Sequence, residues 1–251
     1  MARLPRRLFL GRAAALCMPS LLVGRTPIAD AAGPSVAETL ADLEALSQRL
    51  VTGRIDADGW QTEVEAIFAR TSASELLAAI TLDWKALHEQ TRRAGQITHP
   101  LDPSELHGCP ATPSFRRKLF SFSRDRAILP HAHRNIVSAF VVLAGSFRGR
   151  HFDRVREQSD ALIIRPTDDR SFQPGDAAAI SDQRDNVHWF TALDDQALLF
   201  NVSVTIPEPL RGPGPKSTGR VYLDPDGERL EDDLIRAPRA SLSQLRAKYE
   251  R

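Results

Sequence analysis

Apolar residues recur at three- and four-residue steps from Ser35 to about Arg93, the period of an amphipathic helix. Val36, Leu40, Leu43, Leu46 and Leu50 form one such face. Gly53 and Asp56-Ala57-Asp58-Gly59 interrupt it, and Trp60, Val64, Ile67 and Phe68 make a second. Ser72 or Ser74 can cap a third helix, with Leu76, Leu77, Ile80, Leu82, Trp84 and Leu87 facing inward and His88 near its end. Residues 35–95 therefore read as a helical layer that needs the rest of the protein to bury its face. Over 94–113, Gly95, Pro100, Pro103, Gly108, Pro110 and Pro113 predict a linker or an extended wrapping segment.

Beyond that segment the period falls to two. Short alternating runs follow at 118–122, 136–143, 161–164, 177–180, 188–193 and 197–206. Ala144-Gly145, Gly149, Asp168-Asp169 and Pro174-Gly175 supply turns between them. The expected fold is mainly β, an antiparallel barrel or jelly roll over 114–206 with the helical layer before it. Residues 207–251 form a C-terminal extension. In it, Gly219 to Leu223 with Asp224-Pro225-Asp226-Gly227 predicts a hairpin, Arg229 to Arg239 a solvated charged face, and Ser241 to Tyr249 a helix.

A hydrophobic content of 42% implies a packed core. The balance of 33 Lys+Arg against 32 Asp+Glu gives no sign of a nucleic-acid or acidic-membrane partner. No apolar run is long enough to span a bilayer as a helix. Pro5-Arg6-Arg7-Leu8-Phe9-Leu10 resembles the twin-arginine export signal, and Ala29-Asp30-Ala31 offers small residues for cleavage. Residues 1–31 are thus expected to be a signal peptide read by the twin-arginine translocation machinery, which implies a periplasmic or exported protein. Bulky Leu16 argues against Cys17 as a lipid attachment site. Cleavage after Ala31 leaves Cys109 unpaired, within His107-Gly108-Cys109-Pro110, which reads as a turn.

The grouping richest in chemistry is His131-Ala132-His133 with Asp185-Asn186-Val187-His188. On a strand, alternate side chains share a face, so His131 and His133 point the same way and suit one metal. Ser138 stands five residues after His133, and Gly145 seven after Ser138. That spacing resembles the first motif of the cupin superfamily, in which two histidines, an acidic residue and a glycine recur. Pro174-Gly175 followed by His188 resembles the second, with a lengthened turn-to-histidine distance.

The chain departs from the general cupin pattern at Ser138, where most metal cupins place glutamate. Three histidines without a carboxylate resemble the thiol dioxygenases, as does the Asn186-Val187-His188 step followed by an aromatic strand. The resemblance implies ferrous iron, Fe(2+), held by His131, His133 and His188, with a small-molecule thiol and O2 as substrates and a sulfinate as product. Neutral ligands leave the ion's charge uncompensated, which suits an anionic co-ligand brought by substrate. Weaker substrate-contact candidates are Arg134, Ser138, Arg165 and Asn186, with Arg116 and Arg117 as further carboxylate partners.

Ser138 cannot form the cysteine–tyrosine crosslink of some relatives, and a phenol would have to come from Tyr222 or Tyr249. His151 is expected to face solvent or pair with Asp153. Two other readings stay open. One is a metal cupin of different chemistry: a diketone or phenolic dioxygenase, or a zinc or manganese isomerase or hydrolase. The other is a non-catalytic cupin that binds a ligand or metal.

Overall fold

The computed structural model describes residues 33–212 and 215–250; the signal-peptide reading of 1–31 lies outside them. Among the described residues four helices come first: α1 (Val36–Val51), α2 (Ala57–Phe68), α3 (Ala73–Ala78) and α4 (Trp84–Ala94). Each starts where a side chain replaces the missing helical acceptor, namely Ser35, Asp56, Ser72 and Asp83. Asp83 divides the single third helix expected from the apolar spacing into two, because it caps α4 by accepting from the Ala86 amide.

Twelve strands follow among the described residues. They are β1 (Gln96–Pro100), β2 (Arg116–Phe122), β3 (Ala127–Arg134), β4 (Ile136–Ala144), β5 (Phe147–Glu157) and β6 (Ala161–Phe172). Then come β7 (Ala177–Ile180), β8 (Val187–Ala192), β9 (Ala197–Thr205), β10 (Gly219–Tyr222), β11 (Glu228–Arg229) and β12 (Ile235–Pro238). The helix α5 (Leu242–Tyr249) ends the described chain. All pairings are antiparallel and build two sheets, ordered β1-β2-β9-β4-β7 and β10-β3-β8-β5-β6-β12-β11. Together they form a cupin-like jelly roll with the N-terminal helices packed on the five-stranded sheet.

Alternation along the strands sorts side chains between two cores. Leu119 on β2, Val137, Ala139 and Val141 on β4, and Phe200, Val202 and Val204 on β9 face the helices, where Leu43, Trp60 and Phe68 cover them. The opposite faces carry Phe120, Phe122, Phe140, Val142 and Leu199 into the space between the sheets, against Phe147, Phe172 and Phe190.

Several expected boundaries are corrected. Of the two readings of 94–113 the linker falls and the extended wrapping segment holds, since its β1 pairs with β2 along the sheet edge. Gly149 is no turn: it lies inside β5, where an added Cβ would stand 2.4 Å from the Phe172 ring. Asp168-Asp169 sits within β6, whose strand runs on past a bulge opposite His151 and Phe152. Gly219 to Leu223 forms no hairpin with its neighbours, because β10 crosses back to pair with β3. Part of the Arg229 to Arg239 stretch is buried sheet, with Ile235 and Ala237 in the core and β12 paired to β6.

Candidate metal centre

β3 is an inner strand of the seven-stranded sheet although it contains Pro130, which has no amide hydrogen to donate. The register shifts between Ile128 and His131, and this bulge absorbs the proline. Past it, His131 pairs with His188 on β8 and, on the other side, with Tyr222 on β10. His131, His133 and His188 thus project from adjacent strands into the space between the sheets.

The three imidazoles are buried, with His133 the most open at 8% exposure. One nitrogen from each lies within 4.8 Å of the others. The Nε2 atoms of His131 and His133 are 3.1 Å apart. Nitrogens bound about 2.1 Å from one cation at near-right angles would stand about 3.0 Å apart, so the gap fits a shared ion. The Nδ1 of His131 donates to the Leu129 carbonyl at 2.7 Å, an assignment that leaves its Nε2 lone pair free. The Nδ1 of His188 faces the Asn186 carbonyl at 3.3 Å, and its Nε2 has no partner although fully buried. An unpaired buried nitrogen is costly unless something else occupies it, and a metal ion meets that need.

Burial holds all three histidines neutral. His131 is pushed well below its ordinary range by burial and then by His133 and Arg220. His188 is pushed well below by burial and then by His131, His133 and His151. His133 falls to about 3, through burial first and then Arg220, Lys118 and Arg116. Neutral imidazoles are the form that binds metal, so the site needs no proton release at neutral pH.

The histidines open into a cavity of about 400 Å³. Phe120, Ile128 and Phe140 line its apolar part, and Ser138, Asn201 and Ser203 its polar side. Ser138 accepts from Asn201 Nδ2 at 2.7 Å and donates its own proton to the Val202 carbonyl at 3.2 Å. It therefore lines the cavity but has no proton to offer a substrate. No carboxylate lines the cavity among the described residues.

Most of the other site candidates stand elsewhere. Arg134 is ion-paired with Glu157 and lines a separate cavity that helix residues share with the barrel. Arg165 is exposed on β6 opposite Asp153. Asn186 is buried and spends its amide on the carbonyls of Ser181 at 2.8 Å and His133 at 3.0 Å. It shapes the approach to His188 and does not line the cavity. Arg116 reaches the cavity, whereas Arg117 reaches back to the Phe115 carbonyl at 3.5 Å.

His151 corrects its expected solvent placement. It is 3% exposed, pairs with His188 across β5 and β8, and packs between Phe172 and Phe190. The ring of Tyr222 lies 5.7 Å from that of His131, while Tyr249 is turned away onto Trp189, Asp224 and Asp226. Cys109 is half-buried, and burial raises its thiol, the reverse of an activated nucleophile. Sequence reasoning missed Lys118, Asn201, Ser203 and Arg220. Lys118 was within reach, since it alternates with Phe120 on one face of β2; Arg220 depends on a pairing between β10 and β3 that no local pattern announces.

No protein-family model matches the sequence, and no curated protein matches it either. Among solved structures, KdgF from Halomonas sp. is 18% identical, over 46% of this chain and 83% of that one, with a TM-score of 0.32. An oxalate oxidase is 15% identical, over 61% of this chain and 65% of that one, with a TM-score of 0.34. The 11S globulin from Wrightia tinctoria is 15% identical, over 52% of this chain and 28% of that one, with a TM-score of 0.35. These are partial overlaps, and the architecture described above stands on strand order and pairing register.

Proposed function

We propose that this chain is an exported non-haem iron dioxygenase that converts a small thiol to its sulfinate. The observation that carries the reading is a buried three-histidine cluster opening into a cavity that no carboxylate lines among the described residues. An all-neutral ligand set leaves a bound cation's charge uncompensated, and a thiolate is the co-ligand that corrects this. Iron, when bound there, would supply the redox chemistry between thiol and dioxygen. The reaction balances without a further reductant: sulfur loses four electrons, O2 gains four, both oxygens end on sulfur, and the thiol proton leaves with the sulfinic acid.

The residues of the chain have definable parts in this. His131 and His188 are oriented through Nδ1 by backbone carbonyls, which aims their other nitrogens into the cavity. Phe120, Phe140 and Ile128 exclude water from one wall. Twin-arginine export suits such a site, because folding around iron in the cytoplasm avoids competition from copper, which binds imidazole sites more tightly.

The test is elemental analysis and oxygen uptake on protein recovered from the periplasm. Near-stoichiometric iron, lost in His131→Ala and His188→Ala, with one O2 consumed per thiol and a sulfinate product, is the expected result. Zinc or manganese in its place, with no thiol-dependent uptake, would transfer the site to the isomerase or hydrolase reading. Replacing Arg6 and Arg7 with lysine should hold the protein in the cytoplasm; unchanged export would remove the signal assignment.

A further inference from the structure

β2 presents Arg116, Lys118 and Phe120 on one face, so the wall of the histidine cavity passes from apolar at Phe120 to cationic at Arg116. Arg220, on β10 directly opposite His133, adds a third positive charge. Arg116 and Arg220 are exposed, and Lys118 is half-buried between them and the histidines. All three line the same cavity as His131, His133 and His188.

None of the three has an anionic partner among the described residues. Arg116 donates to the Thr205 hydroxyl at 2.7 Å, and Arg220 lies 3.5 Å from the Tyr222 hydroxyl. Elsewhere on the same barrel Arg134, Arg150, Arg154 and Arg239 are each paired with a carboxylate. Three cations converging on one cavity repel one another, and their uncompensated charge favours an anion. A guanidinium fork matches a carboxylate in geometry as well as in charge.

We infer that Arg116, Lys118 and Arg220 form the binding site for the carboxylate of a small organic acid. Its short apolar arm lies along Phe120, Ile128 and Phe140, and its reactive end reaches His131, His133 and His188. The cavity of about 400 Å³ holds a molecule of that class. This orientation rests on reading the histidines as the reaction centre; the charge selection itself does not. On the thiol reading it selects thiols that carry a carboxylate and disfavours aminothiols, whose ammonium meets the same three cations.

The experiment is calorimetric titration of the purified chain with malonate and with its neutral counterpart malonamide, on protein as isolated and after removal of metal by chelation. Malonate should bind in both forms, more weakly as salt is raised, and malonamide should not. Lys118→Gln and Arg220→Gln should each weaken malonate about tenfold or more, as expected for loss of one charge-assisted contact. Lys118→Arg should retain binding, which separates lost charge from a misfolded wall. Equal binding of malonate and malonamide, no malonate binding in either form, or unchanged affinity in the glutamine variants would overturn the inference. Metal content measured on the same samples keeps the two readings apart. Metal bound without charge selection leaves the metal centre standing and removes the acid site. Charge-dependent malonate binding in a protein that takes up no metal does the reverse.

Discussion

At the scale of single residues, the histidine cluster links burial to pH. In the fold His133 is held at about 3, whereas its ordinary value is 6.5, and burial is the first cause. Between those values the unfolded chain binds a proton that the folded chain refuses, so folding loses stability as the solution is acidified. The contribution is whole above about pH 6.5 and falls by up to about 1.4 kcal/mol per pH unit within the window. His131 and His188 shift in the same direction for the same cause. Metal-free protein should therefore show a urea midpoint that declines from about pH 7 to about pH 4. The decline should be shallower in His133→Gln, which has no imidazole to protonate. Parallel declines in the two proteins would assign the acid sensitivity to other groups.

At the scale of elements, what was legible in the sequence was what local periodicity can encode. The apolar spacing gave the first two helices near their observed bounds, and Lys118 to Phe122 or Ile136 to Leu143 announced strands by alternation. His131 and His133 shared a face for the same reason. The first half of β3 was hidden by Pro130, a strand breaker that the bulge after Ile128 makes tolerable. β5 was hidden by its composition, since Arg148, Arg150, Asp153 and Arg154 alternate irregularly with buried His151 and Phe152. Arg220 joined the site only through the return of β10 to β3, across more than eighty residues of chain. A second long-range contact is testable. β7 is the edge of its sheet, and Gln61 of α2 donates to the Ala179 carbonyl on its free side at 2.8 Å. Gln61→Ala leaves that buried carbonyl unsatisfied and should cost about 1–3 kcal/mol in urea unfolding. A loss below about 0.5 kcal/mol would mean that water or a shifted helix satisfies the strand instead.

At the scale of the molecule, the helices and the barrel share one core. Residues from α1 to α4 and from the outer face of the five-stranded sheet belong to a single apolar cluster, and 33–251 form one compact unit. Separating the layer would expose Trp60, Phe68 and Leu43 on one side and Phe200, Val141 and Val202 on the other. At roughly 1.5–3 kcal/mol for each large side chain, that exposure is comparable to the whole stability of an ordinary domain. The layer is thus too costly to detach, and the two parts should unfold as one. Tryptophans report on both: Trp60 and Trp84 lie in the helices, and Trp189 lies in β8 beside Tyr249. A variant with Trp60→Phe and Trp84→Phe isolates the barrel signal, and far-ultraviolet circular dichroism follows the helices. Their denaturation midpoints should coincide. A metal ion that binds the three histidines of the native barrel should raise both by the same amount, because one transition carries both signals. A helical transition that precedes the barrel's and ignores metal would show that the layer folds separately from the site it covers.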